Sequence, residues 1–220
     1  MMEQKLGLAQ FKKTLFPDGV YTNLKIEKLD DKRGFFNDRP VFEELIKEVK
    51  PKTIIEVGSW KGHSAVAMAR ICQSLGIFCD ILCIDTFLGS QEHWLNDKYR
   101  DLLKIENGCP RYYRDFPSNI IYSGVQTFVT PVCLPAATAS VVLSIFKVQG
   151  DLIYIDAGHE YDDVTNDIRN FFPLLSKKGV MFGDDYPHPP LREAVNDFAN
   201  SSSLKVAEIG RKWVFRSQES

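Results

Sequence analysis

Five short apolar segments recur along the chain, and the stretches between them carry helical patterns. The segments are rich in isoleucine, valine, leucine, phenylalanine and cysteine, as expected for strands buried on both faces of a parallel sheet. This alternation predicts an α/β fold with a doubly wound sheet. The predicted strands cover residues 53–57, 80–85, 128–133, 151–155 and 179–183, and the predicted helices cover residues 41–49, 61–75, 111–121, 136–146, 161–175 and 190–199.

The C-terminal part departs from this alternation. Residues 204–209 and 212–215 are two strand-like segments joined by a turn at Gly210 and Arg211. Two such segments with a tight connection predict a β-hairpin. We therefore expect a Rossmann-like sheet that is mostly parallel and has one antiparallel strand in this hairpin.

The length and composition of the chain fit one domain. Its 220 residues are 44% hydrophobic, which is enough for a sizeable core. We divide this domain into an N-terminal helical segment or lid, residues 1–50, and a cofactor-binding part, residues 51–220. The connection over residues 86–110 is long for this fold, and such connections are commonly lids or binding loops. An ordinary surface loop is the alternative.

The first predicted strand leads into a turn that contains two glycines. Residues 53–64 read Thr-Ile-Ile-Glu-Val-Gly-Ser-Trp-Lys-Gly-His-Ser. A dinucleotide-binding turn has glycines at its first, third and sixth places, but here Trp60 and His63 occupy the third and the sixth. The carboxylate of Glu56, just before the turn, suits a ligand that carries positive charge instead of phosphate. S-adenosylmethionine, with its sulfonium and ammonium groups, is such a ligand.

Composition argues against several kinds of partner. Lysine and arginine number 27 against 29 acidic residues, a net charge of −2, so no basic surface is expected for nucleic acid or an anionic membrane. No stretch is apolar enough to cross a bilayer and the start lacks a signal-peptide pattern, so we expect a cytoplasmic protein. The five cysteines are an odd count and three of them lie in apolar stretches, which predicts reduced thiols, and the lack of a Cys-x-x-Cys pair argues against structural zinc.

Four motifs at the ends of the predicted strands resemble those of the class I S-adenosylmethionine-dependent methyltransferases. Within that family the chain is similar to the metal-dependent small-molecule O-methyltransferases of macrolide sugars and to relatives from cephalosporin biosynthesis. The resemblance covers roughly residues 40–217 and implies methylation of a hydroxyl on a sugar, diol or phenol of a natural product. The motifs are Glu-x-Gly-x-x-x-Gly at residues 56–62, Ile-Asp-Thr-Phe-x-Gly at 84–89, Ile-Asp-x-x-His-x-Tyr at 155–161, and Asp184-Asp185.

The resemblance also implies where the cofactor binds. Ligands of open α/β sheets bind outside the carboxyl ends of the strands, where all four motifs lie. Glu56 would face the amino end of S-adenosylmethionine, and Asp85 would accept hydrogen bonds from its ribose. The alternative is that these acids only cap the following helices. The predicted cofactor-binding residues are Glu56, Gly58, Ser59, Gly62, Ser64, Asp85, Thr86 and Asp156.

Three acids at the ends of the last two predicted parallel strands predict a metal site. Asp156 and the pair Asp184-Asp185 are separated by one strand-helix-strand unit, so neighbouring parallel strands would bring all three to one edge. Gathered carboxylates repel one another unless a cation neutralises them. Oxygen ligands favour Mg²⁺, Mn²⁺ or Ca²⁺ over zinc, and the resemblance implies Mg²⁺. Alternatively, Asp156 caps a helix and one acid of the pair is solvated.

The catalytic prediction centres on Asp156 and His159. A bound cation would hold the hydroxyl of the acceptor and lower its pKa, and His159 would remove the proton as general base. The sugar-methylating relatives use a histidine at the matching place. His188 is the alternative base. Three other functions stay open: a metal-independent N- or O-methyltransferase, a non-catalytic S-adenosylmethionine-binding protein, and a nicotinamide-dependent oxidoreductase. A small-molecule acceptor is the expected partner, and a homodimer is one arrangement that the sequence allows.

Overall fold

The computed structural model describes residues 6–22, 24 and 39–217, and its centre is a seven-stranded β-sheet. The strands are β1 (Thr53–Val57), β2 (Asp80–Ile84), β3 (Val129–Val132), β4 (Gly150–Ile155), β5 (Leu175–Gly183), β6 (Ala207–Ile209) and β7 (Lys212–Arg216). They lie in the order β3-β2-β1-β4-β5-β7-β6.

Most of the sheet is parallel. β1 pairs in parallel with β2 on one side and with β4 on the other, and β7 is antiparallel to both β5 and β6. The predicted doubly wound sheet with one reversed strand in a C-terminal hairpin is therefore confirmed. The strand order changes direction between β1 and β4, which is where open α/β sheets bind their ligands.

Helices cover both faces of the sheet. One face packs against α2, α3 and α6, and the other packs against α1, α7, α8 and α9, each through buried apolar side chains. The helices are α1 (Leu8–Leu15), α2 (Arg39–Val49), α3 (His63–Ser74), α4 (Gln91–Leu95), α5 (Asp97–Arg100), α6 (Asp115–Tyr122), α7 (Ala136–Ile145), α8 (Tyr161–Phe171) and α9 (Pro189–Ser201). None of these described helices is both long and apolar enough to span a membrane.

The sequence prediction was wrong about where helix α8 ends. It extended that helix to residue 175, whereas the α-helix ends at Phe171 and a 3₁₀ turn follows at Phe172–Leu174. Pro173 lies in this turn, and proline has no amide hydrogen to continue an α-helix. Strand β5 consequently begins at Leu175, four residues earlier than predicted.

The long connection between β2 and β3 contains structure of its own. We call residues 86–110 the insertion; it includes α4, α5 and a 3₁₀ turn at Asp101–Leu103. The side chain of Leu103 is fully buried and anchors the insertion in the core. At the other end of the chain, Phe11 of α1 packs against Phe146 at the end of α7, with ring centroids 5.6 Å apart. The lid role assigned to residues 1–50 stays a prediction, and residues 25–38 lie outside the described part of the chain.

Candidate active site

The turn after β1 lies in direct contact with the loop after β4. Gly58 has a φ of +87°, and a Cβ atom there would lie only 2.1 Å from the carbonyl oxygen of Asp156. The amide of Asp156 donates to the carbonyl of Val57 (2.8 Å), which fixes the two strand ends together. Only glycine permits this approach, because it has no side chain and adopts positive φ without strain. We call residues 58–62 the cofactor turn.

Gly62 and Ser64 link the cofactor turn to helix α3. Gly62 is the residue before the helix and has a left-handed backbone, φ +82°. A Cβ atom at Gly62 would come within 3.0 Å of the Phe116 ring, so the turn packs closely on α6 as well. The hydroxyl of Ser64, in the first turn of α3, donates a hydrogen bond to Glu56 Oε1. Ser59 is buried, and its hydroxyl has no hydrogen-bond partner.

The carboxylate of Glu56 is completely buried beneath the cofactor turn. Its Oε1 accepts from Ser64, while its Oε2 is buried without a partner. Burial raises the pKa of Glu56, and the hydrogen bond from Ser64 opposes that effect. A buried carboxylate oxygen that lacks a donor is costly. This position therefore favours a ligand group that carries N–H donors or positive charge.

Asp85 holds the cofactor turn in place through the backbone. Its Oδ2 accepts from the amides of Ser59 (3.1 Å) and Trp60 (2.8 Å), and its Oδ1 accepts from the amide of Phe87 (2.7 Å). Burial raises the pKa of Asp85, and these backbone donors work against the rise. Thr86 closes the next turn, since its Oγ1 accepts from the Leu88 amide (3.2 Å). The ribose-binding role of Asp85 stays a prediction.

A second group of polar side chains lies at the ends of β4 and β5. One potential ligand atom from each of Asp156, His159 and Asp185 lies within 4.8 Å of the others. Burial, and then the nearby charge of Asp184, raise the pKa of Asp156 to about 7. The hydroxyl of Tyr154 donates to Asp156 Oδ2 (2.9 Å) and fixes that carboxyl. We call Asp156, His159 and Asp185 the acid-histidine cluster.

Asp185 is the most strongly paired member of this cluster. Its Oδ2 lies 3.2 Å from His159 Nε2, and its Oδ1 accepts from Arg211 Nη2 at 2.6 Å. The hydrogen bond with His159, followed by that with Arg211, lowers the pKa of Asp185. The hydrogen bond between Asp185 and His159 also raises the pKa of His159 above its usual value of 6.5. Asp185 therefore orients the imidazole and stabilises its protonated form.

Asp184, the third predicted metal ligand, is turned towards a buried lysine. Its Oδ2 lies 3.1 Å from Nζ of Lys212, whose side chain is only 1% exposed. Lys212 Nζ also donates to the hydroxyl of Tyr154 (3.0 Å). The other oxygen of Asp184 accepts from the amide of Asp185 (2.7 Å). The structure thus gathers two of the three predicted ligands with His159, while Asp184 as a ligand stays a prediction.

Lys212 and Arg211 are site residues that the sequence prediction missed. Both lie in the C-terminal hairpin, roughly 50 residues beyond His159. The available signal was a lysine at the start of a strand-like segment rich in apolar residues, Lys212 to Phe215. Such a lysine needs an acid partner when the strand is buried.

A cavity of about 1060 Å³ opens beside the acid-histidine cluster. The insertion forms one wall, and the loops that follow β4 and β5 form the other. His159 and Asp185 contribute to the lining, and so does His188, the alternative base, whose ring centroid lies 6.4 Å from that of His159. The cavity is lined by Ser90, Gln91, Glu92, Leu95, Asn96, Asp97, Gly158, His159, Glu160, Asp163, Asp185, Pro187, His188, Pro189 and Arg211.

Two named relatives are similar to most of the chain. An 8-demethyl-8-(2,3-dimethoxy-α-L-rhamnosyl)-tetracenomycin-C 4′-O-methyltransferase from Streptomyces olivaceus is 23% identical over 216 residues, covering 91% of this chain and 76% of the relative. A demethyldecarbamoylnovobiocin O-methyltransferase from Streptomyces niveus is 21% identical over 198 residues, covering 83% of this chain and 69% of the relative.

Solved structures of methyltransferases share the fold. The O-methyltransferase NovP superposes with a TM-score of 0.60 at 17% identity, covering 83% of this chain and 78% of NovP. The O-methyltransferase from Bacillus cereus in complex with S-adenosylhomocysteine superposes with a TM-score of 0.59 at 14% identity, covering 96% of this chain and 92% of that one.

The family model described as a methyltransferase domain matches residues 55–186, which include the cofactor turn, Asp85, the acid-histidine cluster and Asp184. Because that match spans more than half of the chain and agrees with the fold, this protein belongs to the class I S-adenosylmethionine-dependent methyltransferases.

Proposed function

We propose that this enzyme is an O-methyltransferase that transfers the methyl group of S-adenosylmethionine to a hydroxyl of a small molecule, with the assistance of a divalent cation. The observation that carries the proposal is the acid-histidine cluster, which borders a cavity of about 1060 Å³. A cavity of this size accepts a drug-sized ligand. The two relatives are named for methylation of a rhamnosylated tetracenomycin and of a novobiocin precursor, so a natural product with a sugar or phenol is the acceptor we propose.

The residues around the cofactor turn fit S-adenosylmethionine. The unpaired Oε2 of Glu56 offers an acceptor to positive charge or to an N–H donor, and Gly58 and Gly62 let the turn pack closely against the loop after β4 and against α6. We assign Asp85, which follows β2 beside β1, to the ribose of the cofactor. The bound cofactor would supply an electrophilic methyl group. The protein's own contribution is to orient the acceptor oxygen opposite the sulfur, and such positioning accounts for much of the acceleration.

The acid-histidine cluster also fits a divalent cation. Its two carboxylates are oxygen donors, and hard cations such as Mg²⁺ and Mn²⁺ prefer these. We assign Asp156 and Asp185 to this cation and His159 to the proton of the acceptor. When bound, the cation would lower the pKa of a hydroxyl in contact with it.

His159 is suited to accept that proton. Asp185 holds the imidazole at 3.2 Å and raises its pKa, so the protonated product of the transfer is stabilised. His159 acts as a base only in its neutral form. Because its pKa is raised, that form predominates only at higher pH. The rate should therefore rise as pH increases through a His159 pKa that lies above 6.5.

A metal-independent methyltransferase is the second candidate. Arg211 and Lys212 already place positive charge against Asp185 and Asp184, so part of the repulsion among the acids is relieved without a cation. In that case the same cavity and base would act on an acceptor whose hydroxyl is acidic enough to lose its proton to His159 alone.

Calorimetry with S-adenosylhomocysteine, followed by a methyl-transfer assay, tests the proposal. The purified protein is assayed with S-adenosylmethionine and a panel of catechols and rhamnosides, with Mg²⁺, with Mn²⁺ and with EDTA. We expect cofactor binding in every buffer and turnover only with the cations. Turnover that EDTA leaves unchanged would establish the metal-independent candidate. Cofactor binding without turnover would indicate a binding protein, and no cofactor binding would refute the proposal.

The assignment of the base is tested with a matched pair of histidines. His159→Asn should lower kcat by about 100-fold to 10,000-fold, the usual contribution of a general base, and leave the affinity for S-adenosylhomocysteine unchanged. His188→Asn lies in the same cavity and should change kcat less than about threefold. Equal losses in both variants, or a loss only in His188→Asn, would contradict the assignment.

A further inference from the structure

The side chain of Trp60 joins the wall of the cavity to the cofactor turn. We propose that Trp60 is a positioning residue that couples cofactor binding to the placement of helix α4 in that wall. The inference rests on the proposed function, because it concerns how the acceptor side of the site is completed when the cofactor is bound.

On the cofactor side, Trp60 is part of the turn that would contact the ligand. Its amide donates to Asp85 Oδ2 at 2.8 Å. Its backbone has a φ of +46°, a left-handed conformation that a bulky side chain rarely adopts. Such a conformation persists only where surrounding contacts impose it. A ligand that shifts the position of Asp85 or of the glycines in the turn would therefore also move the Trp60 ring.

On the cavity side, the Trp60 ring packs against the insertion and its neighbour Tyr112. It stacks on His93 of α4, with centroids 4.3 Å apart and planes 28° apart, and it contacts Tyr112 at 4.2 Å. The Nδ1 atom of His93 lies 2.7 Å from Ser90 Oγ at the start of α4, and Tyr112 accepts a hydrogen bond from Gly89 (3.2 Å). The ring thus contacts two residues that fix the beginning of α4.

Within the described part of the chain, helix α4 is weakly anchored. It is five residues long and contains no buried residue, and α5 beside it contains none either. A helix this short is not stable by itself in water. Leu95 is 73% exposed, and the indole of Trp94 bonds to Leu88 within the same insertion. The stack of Trp60 on His93 is therefore a principal tertiary contact of a helix whose residues Gln91, Glu92 and Leu95 line the cavity.

Hydrogen–deuterium exchange of the whole chain tests this coupling without an identified acceptor. In the natural protein, saturating S-adenosylhomocysteine should slow exchange of the backbone amides of α4 and α5 by about fivefold or more, the lower end of typical coupling. Trp60→Phe keeps an aromatic ring and should keep the effect. Trp60→Asn removes the ring and suits a left-handed backbone, so it should abolish the effect. Trp94→Phe, the control in the same helix, should retain it.

Calorimetry on the same samples separates coupling from lost cofactor binding. We expect His93→Leu, which lies outside the cofactor turn, to change the Kd for S-adenosylhomocysteine by less than about threefold, and the exchange of each variant is measured at a concentration that saturates it. If Trp60→Asn does not fold, His93→Leu removes the stack from the other side and should also abolish the protection.

The outcomes distinguish this inference from the proposed function. If the natural protein does not bind S-adenosylhomocysteine, the proposed function fails and the inference fails with it. If the natural protein binds it without slower exchange in α4 and α5, only the coupling is overturned. Protection that survives in both Trp60→Asn and His93→Leu would overturn it as well.

Discussion

Replacing Gly58 by alanine should disrupt the junction between the cofactor turn and the loop after β4. The added Cβ would lie 2.1 Å from the carbonyl oxygen of Asp156 and 2.6 Å from Cα of Ala157. Real Cβ atoms essentially never approach other atoms within 3.0 Å. Both opposing atoms belong to the backbone, so no side chain can rotate away, and the loop that carries Asp156 must move.

The expected cost has two parts. A non-glycine residue in the left-handed region costs about 1 kcal/mol, to which the displacement of a packed loop adds about 2–3 kcal/mol. The loop must shift by roughly 1 Å, and misplacements of that size lower rates by about 100-fold. We therefore expect Gly58→Ala to lose about 3–4 kcal/mol of unfolding free energy, together with most of its activity.

Gly76→Ala supplies the matched control, because Gly76 also has positive φ (+66°) but has open space where its Cβ would lie. It should cost only the backbone part, about 1 kcal/mol. Urea denaturation of both variants, with S-adenosylhomocysteine titrations, measures the difference. Equal destabilisation by the two substitutions would refute the argument that close approach to Asp156 is what requires glycine at position 58.

Three further substitutions test the charges of the structure. Asp85→Asn should weaken S-adenosylhomocysteine binding by about tenfold or more in calorimetry, because the amide side chain offers one acceptor oxygen where the carboxylate offers two; unchanged affinity would contradict this role. Arg211→Gln removes a competing cation from Asp185 and should tighten Mn²⁺ binding by about threefold, as expected for an exposed pair; weaker binding would contradict the competition. Asp167 has a pKa raised to about 7 by burial and then by Asp163, so its charged form penalises folding increasingly as pH rises from about 4 to about 7. Asp167→Asn should therefore add about 2 kcal/mol at pH 8 and little at pH 4, and denaturation curves showing the same gain at both pH values would contradict that explanation.

The fold could be predicted because strands buried on both faces leave a simple signature. Each of the five parallel strands contains a short apolar run, and the motifs with acids and glycines fall where the runs end. Strand β3 was predicted correctly although it contains Pro131, which has no amide hydrogen to donate. The strand lies at the edge of the sheet, where a missing amide donor is tolerated. The boundary at Pro173 was missed because the apolar periodicity of α8 continues through the 3₁₀ turn that follows it.

The site was predictable only in part. Strand ends placed Asp156, His159 and Asp185 at one edge, and the structure brings these three together. The hydrogen-bond and ion-pair partners of these side chains were not predictable from the sequence. The same is true of the contacts between the insertion and the cofactor turn, because tertiary packing leaves no periodic pattern in the sequence. The stack of Trp60 on His93 joins residues 33 positions apart through no motif.

The reversed strand explains why two cations reach a site built from parallel strands. Parallel strands present their carboxyl ends to the ligand-binding edge, whereas an antiparallel neighbour presents its beginning. Strand β7 is antiparallel to β5, and its second residue, Trp213, pairs with Gly183 at the end of β5. Its first residue is therefore placed beside Asp184, and the turn before it places Arg211 beside Asp185. A parallel strand in that position would have brought its last residues there, so the C-terminal hairpin determines how much of the acidic charge is neutralised by the chain itself.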